Sequence, residues 1–205
     1  MLEELIIRTL CDNLPETTVD AVYLFAQTED NQESVFATAQ HLIQCAMTQS
    51  IACMYTPPMS GYPGYENWQK ALVSHRIPVN QLEAIHPVPA DTTMLHTRIE
   101  AESLLWHAKQ KGYKRIIVTA APFQQTRAFM AAVTLAVTEY PALKIYSYPG
   151  KALPWHQEVM HSQGTLKATR AGLIAGETER IATYIQKGDL LPVKDVLEYL
   201  NKRDT

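Results

Sequence analysis

Arg115-Ile116-Ile117-Val118-Thr119-Ala120-Ala121-Pro122-Phe123-Gln124-Gln125-Thr126-Arg127 changes its period within a few residues. Arg115 to Thr119 is a short, β-branched apolar run, the pattern of a buried strand. From Pro122 the apolar positions fall at helical spacing to about residue 139. Proline suits the first turn of such a helix, where its missing N–H has no partner to lose. A strand passing into a helix within a few residues is the unit of an α/β fold.

The same alternation extends in both directions. Residues 97–111 read as a helix closed by Gly112, and 144–148 as the next strand. Toward the N-terminus come a strand at 21–25, a helix at 32–47 and a strand at 51–55. A turn-rich loop (56–64), a helix to about residue 74 and a weaker strand at 82–86 follow. Pro78, Pro87 and Pro89 flank that last strand and place it at a sheet edge. A short amphipathic helix opens the chain at 1–11. Beyond a loop through Gly150 and Trp155, a long helix over 166–187 and a last one over 193–202 complete the pattern. The order predicts a three-layer α/β/α, Rossmann-like domain of about five parallel strands spanning 1–205. Its N-terminal helix (1–15) and extra C-terminal helices (166–202) would pack on the same body.

Composition narrows the function. Of 205 residues, 46% are hydrophobic and 19% charged, with a net charge of −3, so the basic excess of a non-specific nucleic-acid binder is missing. Cys11, Cys45 and Cys53 form no CxxC pair and no disulfide framework, and the seven histidines are scattered, so no metal site is expected. His156 and His161 read as surface or core filler. No run approaches the roughly 18 apolar residues of a membrane span, and Glu3 and Glu4 are unlike the basic start of a signal peptide. A cytoplasmic chain is the expectation.

In such sheets ligands bind beyond the carboxyl ends of the strands. That rule selects Gln27 and Thr28, Thr56, Thr119 and Ala120, and Tyr148 and Pro149. The helix start after Thr119 offers free N–H groups to an anion, and Arg127 adds a fork suited to phosphate or carboxylate. Arg127 and Thr119 then hold a ligand anion, or Arg127 is a surface cation paired with an acid. Thr97-Arg98-Ile99-Glu100 has the spacing of a capping box, which starts a helix and can also face a ligand. Gly61-Tyr62-Pro63-Gly64-Tyr65-Glu66 is an ordinary turn or a ligand loop; it is no Walker A sequence, and no GxGxxG follows the first strand. Glu66, Glu100, Glu102 and Glu177 are candidate carboxylates by position alone. Glu177 and Arg180, three apart on the long helix, either reach the site or pair with each other.

Asp20-Ala21-Val22-Tyr23-Leu24-Phe25, Thr97-Arg98-Ile99-Glu100-Ala101-Glu102, Ile117 to Ala128 and Gly176 to Tyr184 together resemble the SanA/YdcF/ElyC-like family, a Rossmann-like domain of unknown function. Thr97, Glu100, Thr119 and Arg127 match the family pattern. Three positions depart from it: Ala26-Gln27 stands for a Gly-Gly pair, His96 for an Asn, and Gln124 for a His. The first change crowds the backbone where a ligand would approach, and the last removes the obvious acid–base group. The resemblance implies binding of S-adenosylmethionine or a nucleotide, with cell-envelope biology for some members and membrane segments in many. The expected ligand site is Gln27, Thr28, Thr56, Glu66, Thr97, Glu100, Thr119, Gln124 and Arg127, holding a small anionic or nucleotide-like molecule. Any chemistry there would be group transfer or hydrolysis, and no catalytic residue is assigned. The alternatives are a non-catalytic binding or regulatory protein, and an interaction module whose helices in 166–202 recruit a partner or a second copy.

Overall fold

The structure, a computed structural model, describes residues 1–161 and 164–205. Five short parallel strands form its sheet: β1 (Ala21–Leu24), β2 (Ile51–Met54), β3 (Leu82–Ile85), β4 (Arg115–Thr119) and β5 (Lys144–Ser147), in the order β3-β2-β1-β4-β5. Every residue of β1 and β2 is buried, as strands covered on both faces require. β3 lies at one edge, where its flanking prolines placed it.

The helices are α1 (Leu2–Leu10), α2 (Glu29–Gln44), α3 (Tyr65–Ser74), α4 (Thr97–Lys111), α5 (Gln125–Glu139), α6 (Arg170–Gln186) and α7 (Val193–Arg203). α2 and α3 cover one face and meet through Phe36 and Trp68, edge to face at 4.9 Å. α4 and α5 cover the other, giving a three-layer α/β/α architecture. Gly112 closes α4 at φ 68°, a left-handed conformation that glycine adopts without a Cβ penalty. α5 is buried from Gln125 to Ala136, with α1, α4, α6, α7 and the sheet against it; Ala128, Ala131, Ala132 and Ala136 let these neighbours approach. α1 and α7 are pinned by a buried Arg203–Asp12 pair at 2.5 Å, with the Arg203 guanidinium over the Tyr146 ring.

Three boundaries differ from the sequence reading. α5 begins at Gln125 because Pro122 to Gln124 form a separate turn, and Gln125 turns its side chain back onto the Ala120 N–H and the Val118 carbonyl. α2 begins at Glu29, three residues earlier than expected. The long helix does not begin at residue 166. Instead β6 (Glu158–His161) and β7 (Leu166–Thr169) form an antiparallel pair, and Thr169 then caps α6 by accepting from the Gly172 N–H. No helix among the described residues is long and apolar enough to cross a membrane.

Candidate functional site

From β1 the chain winds outward to β2 and β3 and then crosses over to β4 and β5, so strand order reverses between β1 and β4. The carboxyl ends of those two strands open a crevice, the position at which doubly wound sheets bind ligands. A cavity of about 160 Å³ lies there. Ala26, Gln27 and Thr28 line it where β1 hands over to α2; His96, Thr97 and Glu100 line it from the start of α4; Gln124 and Arg127 line it from the start of α5. Three helices therefore begin at one cavity, each directing free N–H groups and the positive end of its dipole to that end of the fold.

The β6–β7 hairpin closes another side. Thr28 Oγ1 and Asn31 Nδ2 donate to the Met160 carbonyl at 2.8 and 3.2 Å, and the Met160 N–H donates to Asp30 at 2.7 Å. Buried Arg170 ties the same hairpin to α2 through Asn31 and the Asp30 carbonyl. This docking carries His161 onto the cavity wall, edge-on to Phe123. An imidazole is thus present at the site although position 124 is Gln.

Arg127 is buried and paired. Its Nε donates to Glu177 Oε2 at 2.6 Å, its Nη2 to Glu177 Oε1 at 3.3 Å and its Nη1 to Thr97 Oγ1 at 2.5 Å. Glu177 Oε1 also receives Arg180 Nη1 at 2.6 Å and lies 2.9 Å from His161 Nε2. Burial alone would raise the Glu177 pKa. The Arg127 charge, with hydrogen bonds from His161 and Arg127, outweighs it and holds the carboxyl well below the usual carboxylate range. Glu177 and Arg180 thus both pair with each other and belong to the site, and Arg180 lines the cavity.

Glu100 behaves oppositely. It does not close a capping box: His96 is the N-cap, accepting from the Ile99 N–H at 3.4 Å, and the Thr97 hydroxyl is taken by Arg127. The Glu100 carboxylate faces β1 instead, where Oε1 accepts from the Ala26 N–H at 2.7 Å and from the Tyr23 hydroxyl at 3.1 Å. Oε2 has no partner among the described residues. Burial pushes the Glu100 pKa up to about 7, against the lowering effects of Ala26, Tyr23 and Arg127.

Six of the nine expected residues meet at the cavity: Gln27, Thr28, Thr97, Glu100, Gln124 and Arg127. Gln27 Nε2 donates to Gln124 Oε1 at 2.9 Å, so the two side chains hold each other. The other three lie elsewhere. Thr119 and Thr56 are buried strand-end residues whose hydroxyls have no partner among the described residues, and neither lines the cavity. Glu66 is exposed in the first turn of α3. Sequence reasoning missed Ser60, Tyr62, Leu95, His96, His161 and Tyr184. His161 and Tyr184 come from segments read as loop and as helix, and nothing local marked them. Among the described residues no cluster of three or more His, Cys, Asp or Glu side chains could hold a metal ion. Scanned against protein-family models the chain matches none, and no curated protein matches it.

Proposed function

We propose that this chain binds a small anionic ligand, a phosphate or carboxylate group, in the cavity between the ends of β1 and β4. Arg127 carries the reading. A guanidinium has five N–H donors, and Glu177 and Thr97 occupy three of them, one on each nitrogen. Two remain on a fork that buried partners hold still, so little side-chain entropy is left to lose on binding. Three helix N-termini support the same charge preference. The backbone N–H groups of Gln27 and Thr28, with no partner among the described residues, add donors. The cavity lining includes two arginines, and burial raises the pKa of the carboxyl in that lining, Glu100, to about 7.

The volume bears on the ligand class. About 160 Å³ is below the roughly 300–1,000 Å³ of clefts that enclose drug-sized molecules. The cavity suits the anionic end of a nucleotide-like molecule better than the whole of one. Membership of the SanA/YdcF/ElyC-like family, a cytoplasmic setting and S-adenosylmethionine as ligand are part of this proposal, resting on the residue matches around Thr97, Glu100 and Arg127.

A thermal-shift series tests the reading, with inorganic phosphate, AMP and S-adenosylmethionine against wild type and Arg127→Lys, which keeps a cation beside Glu177 but loses the fork. A ligand at about 100 times its Kd adds roughly 2.7 kcal/mol. At about 2–4 °C per kcal/mol that moves the midpoint by roughly 5–11 °C. The expected result is a shift in wild type that shrinks in Arg127→Lys. No shift with any of the three compounds, or equal shifts in both proteins, overturns the anion site.

A further inference from the structure

Arg127, Thr97, His96 and Tyr184 have cavities on two sides. Beyond the polar one lies a second, of about 290 Å³, which those same four residues also line. Its other walls differ in character. Ala131 and Leu190 are buried apolar residues, and Met94 stands half-exposed at the rim. Its remaining charged groups neutralise one another: Arg98 Nη1 donates to Asp189 Oδ1 at 2.6 Å and Arg98 Nε to Glu102 Oε1 at 2.8 Å. Arg127 turns its Nε and Nη2 toward Glu177. The second cavity therefore adds apolar surface, with Arg98 compensated by Asp189 and Glu102, beside a first cavity rich in N–H donors. His96 is exposed and belongs to both linings.

We propose that the ligand is a bipartite molecule, an anionic head with a short apolar substituent, the head seated in the first cavity and the substituent passing over His96 into the second. The proposal rests on the anion reading above and adds the ligand's other half. A cavity of this volume takes one short alkyl or aryl group and not a pair of long chains. A purely polar ligand would leave Met94 and the Tyr184 ring in contact with water, and apolar burial is the term that an alkyl substituent gains there.

Isothermal titration with inorganic phosphate and with methyl, butyl, hexyl and dodecyl phosphate tests it. Affinity is expected to rise about three- to fourfold per methylene from methyl phosphate onward, the transfer value of a buried CH₂, and to stop rising once the second cavity is full. Ala131→Leu fills that cavity and Leu190→Asn makes it polar without overfilling it. Each should flatten the chain-length dependence while leaving phosphate affinity within about twofold. If wild type binds phosphate and hexyl phosphate equally, the bipartite ligand is refuted and the anion site stands. If no member of the series binds, phosphate included, the anion reading fails and this proposal with it. A chain-length gain undiminished in both variants puts the alkyl group elsewhere and also overturns the proposal.

Discussion

Glu177→Gln tests the cluster on which the site is built. The wild-type carboxylate is 3% exposed and faces the Arg127 guanidinium at 2.6 Å, the Arg180 guanidinium at 2.6 Å and His161 Nε2 at 2.9 Å. The amide keeps the volume and one acceptor oxygen, but it turns an NH₂ toward donors and removes the charge between two cations. Breaking a buried pair from one side costs about 3–5 kcal/mol, because the abandoned charge stays buried. At about 2–4 °C per kcal/mol, the melting temperature should fall by roughly 6–20 °C. Glu179→Gln, on the exposed side of the same helix, is the control and should stay within about 0.5 kcal/mol of wild type.

The acid dependence gives an independent reading. Burial raises the Glu177 pKa, yet Arg127 and His161 leave it depressed in the folded protein. A depressed carboxyl stabilises the fold above its unfolded pKa of about 4.3. Below that pH the unfolded chain takes up a proton that the folded chain refuses, so the stabilisation declines and is gone once pH falls through the folded value. The gap between wild type and Glu177→Gln in urea midpoint should therefore be constant from about pH 8 to 5 and narrow below it. A loss under about 1 kcal/mol at pH 7, or a gap that stays fixed in acid, would mean the carboxylate is not the buried anchor of Arg127.

Two further outcomes follow from the same geometry. Glu100 has a raised folded pKa of about 7, so its contribution is full below the unfolded value and falls away as pH rises toward 7; Glu100→Gln should flatten the decline in urea midpoint between about pH 5 and 8, and an unchanged slope would show that Glu100 is not the titrating group. At Gly150, whose N–H donates to the Ala120 carbonyl, an added Cβ would sit 2.9 Å from that oxygen and closer still to Ser34 Oγ; Gly150→Ala should cost about 1–3 kcal/mol by chemical denaturation, as overpacking does, and a neutral result would show that the loop yields freely.

The sheet was legible because its signal is local. Runs such as Ala21-Val22-Tyr23-Leu24 and Ile116-Ile117-Val118 are apolar throughout, and only a strand covered on both faces uses that pattern at that length. The hairpin was not legible. Each of its strands has only four residues, two of them buried in β6 and none in β7, and β7 runs directly into α6 at Arg170. Leu166 and Ala168 therefore merge with the apolar positions that follow, and no breaker marks the change. The helix start at Thr97 was legible, but its cap was not. Thr-x-x-Glu spacing predicts a local hydrogen-bond exchange, whereas burial sent Glu100 to the Ala26 N–H just beyond β1, more than seventy residues away in sequence.

The site shows the same division between local and distant causes. The strand-end rule selects Thr56 and Thr119 as readily as Gln27 and Thr28, because it names the end of a strand and not the direction of a side chain. Only the strand order decides which end opens, and that order places the reversal between β1 and β4. For Arg127 the sequence posed a choice between a ligand-binding cation and a surface cation paired with an acid. The acid partner is present, but the pair is buried and not at the surface. Glu177, fifty residues further along, fixes the guanidinium from one side, and the opposite side lines the cavity. Without that partner a buried Arg would have to bear its own desolvation, and without a buried site a paired Arg would contribute almost nothing. The pairing is what holds Arg127 in one fixed geometry, and it could be read only after the fold had brought α5 and α6 together.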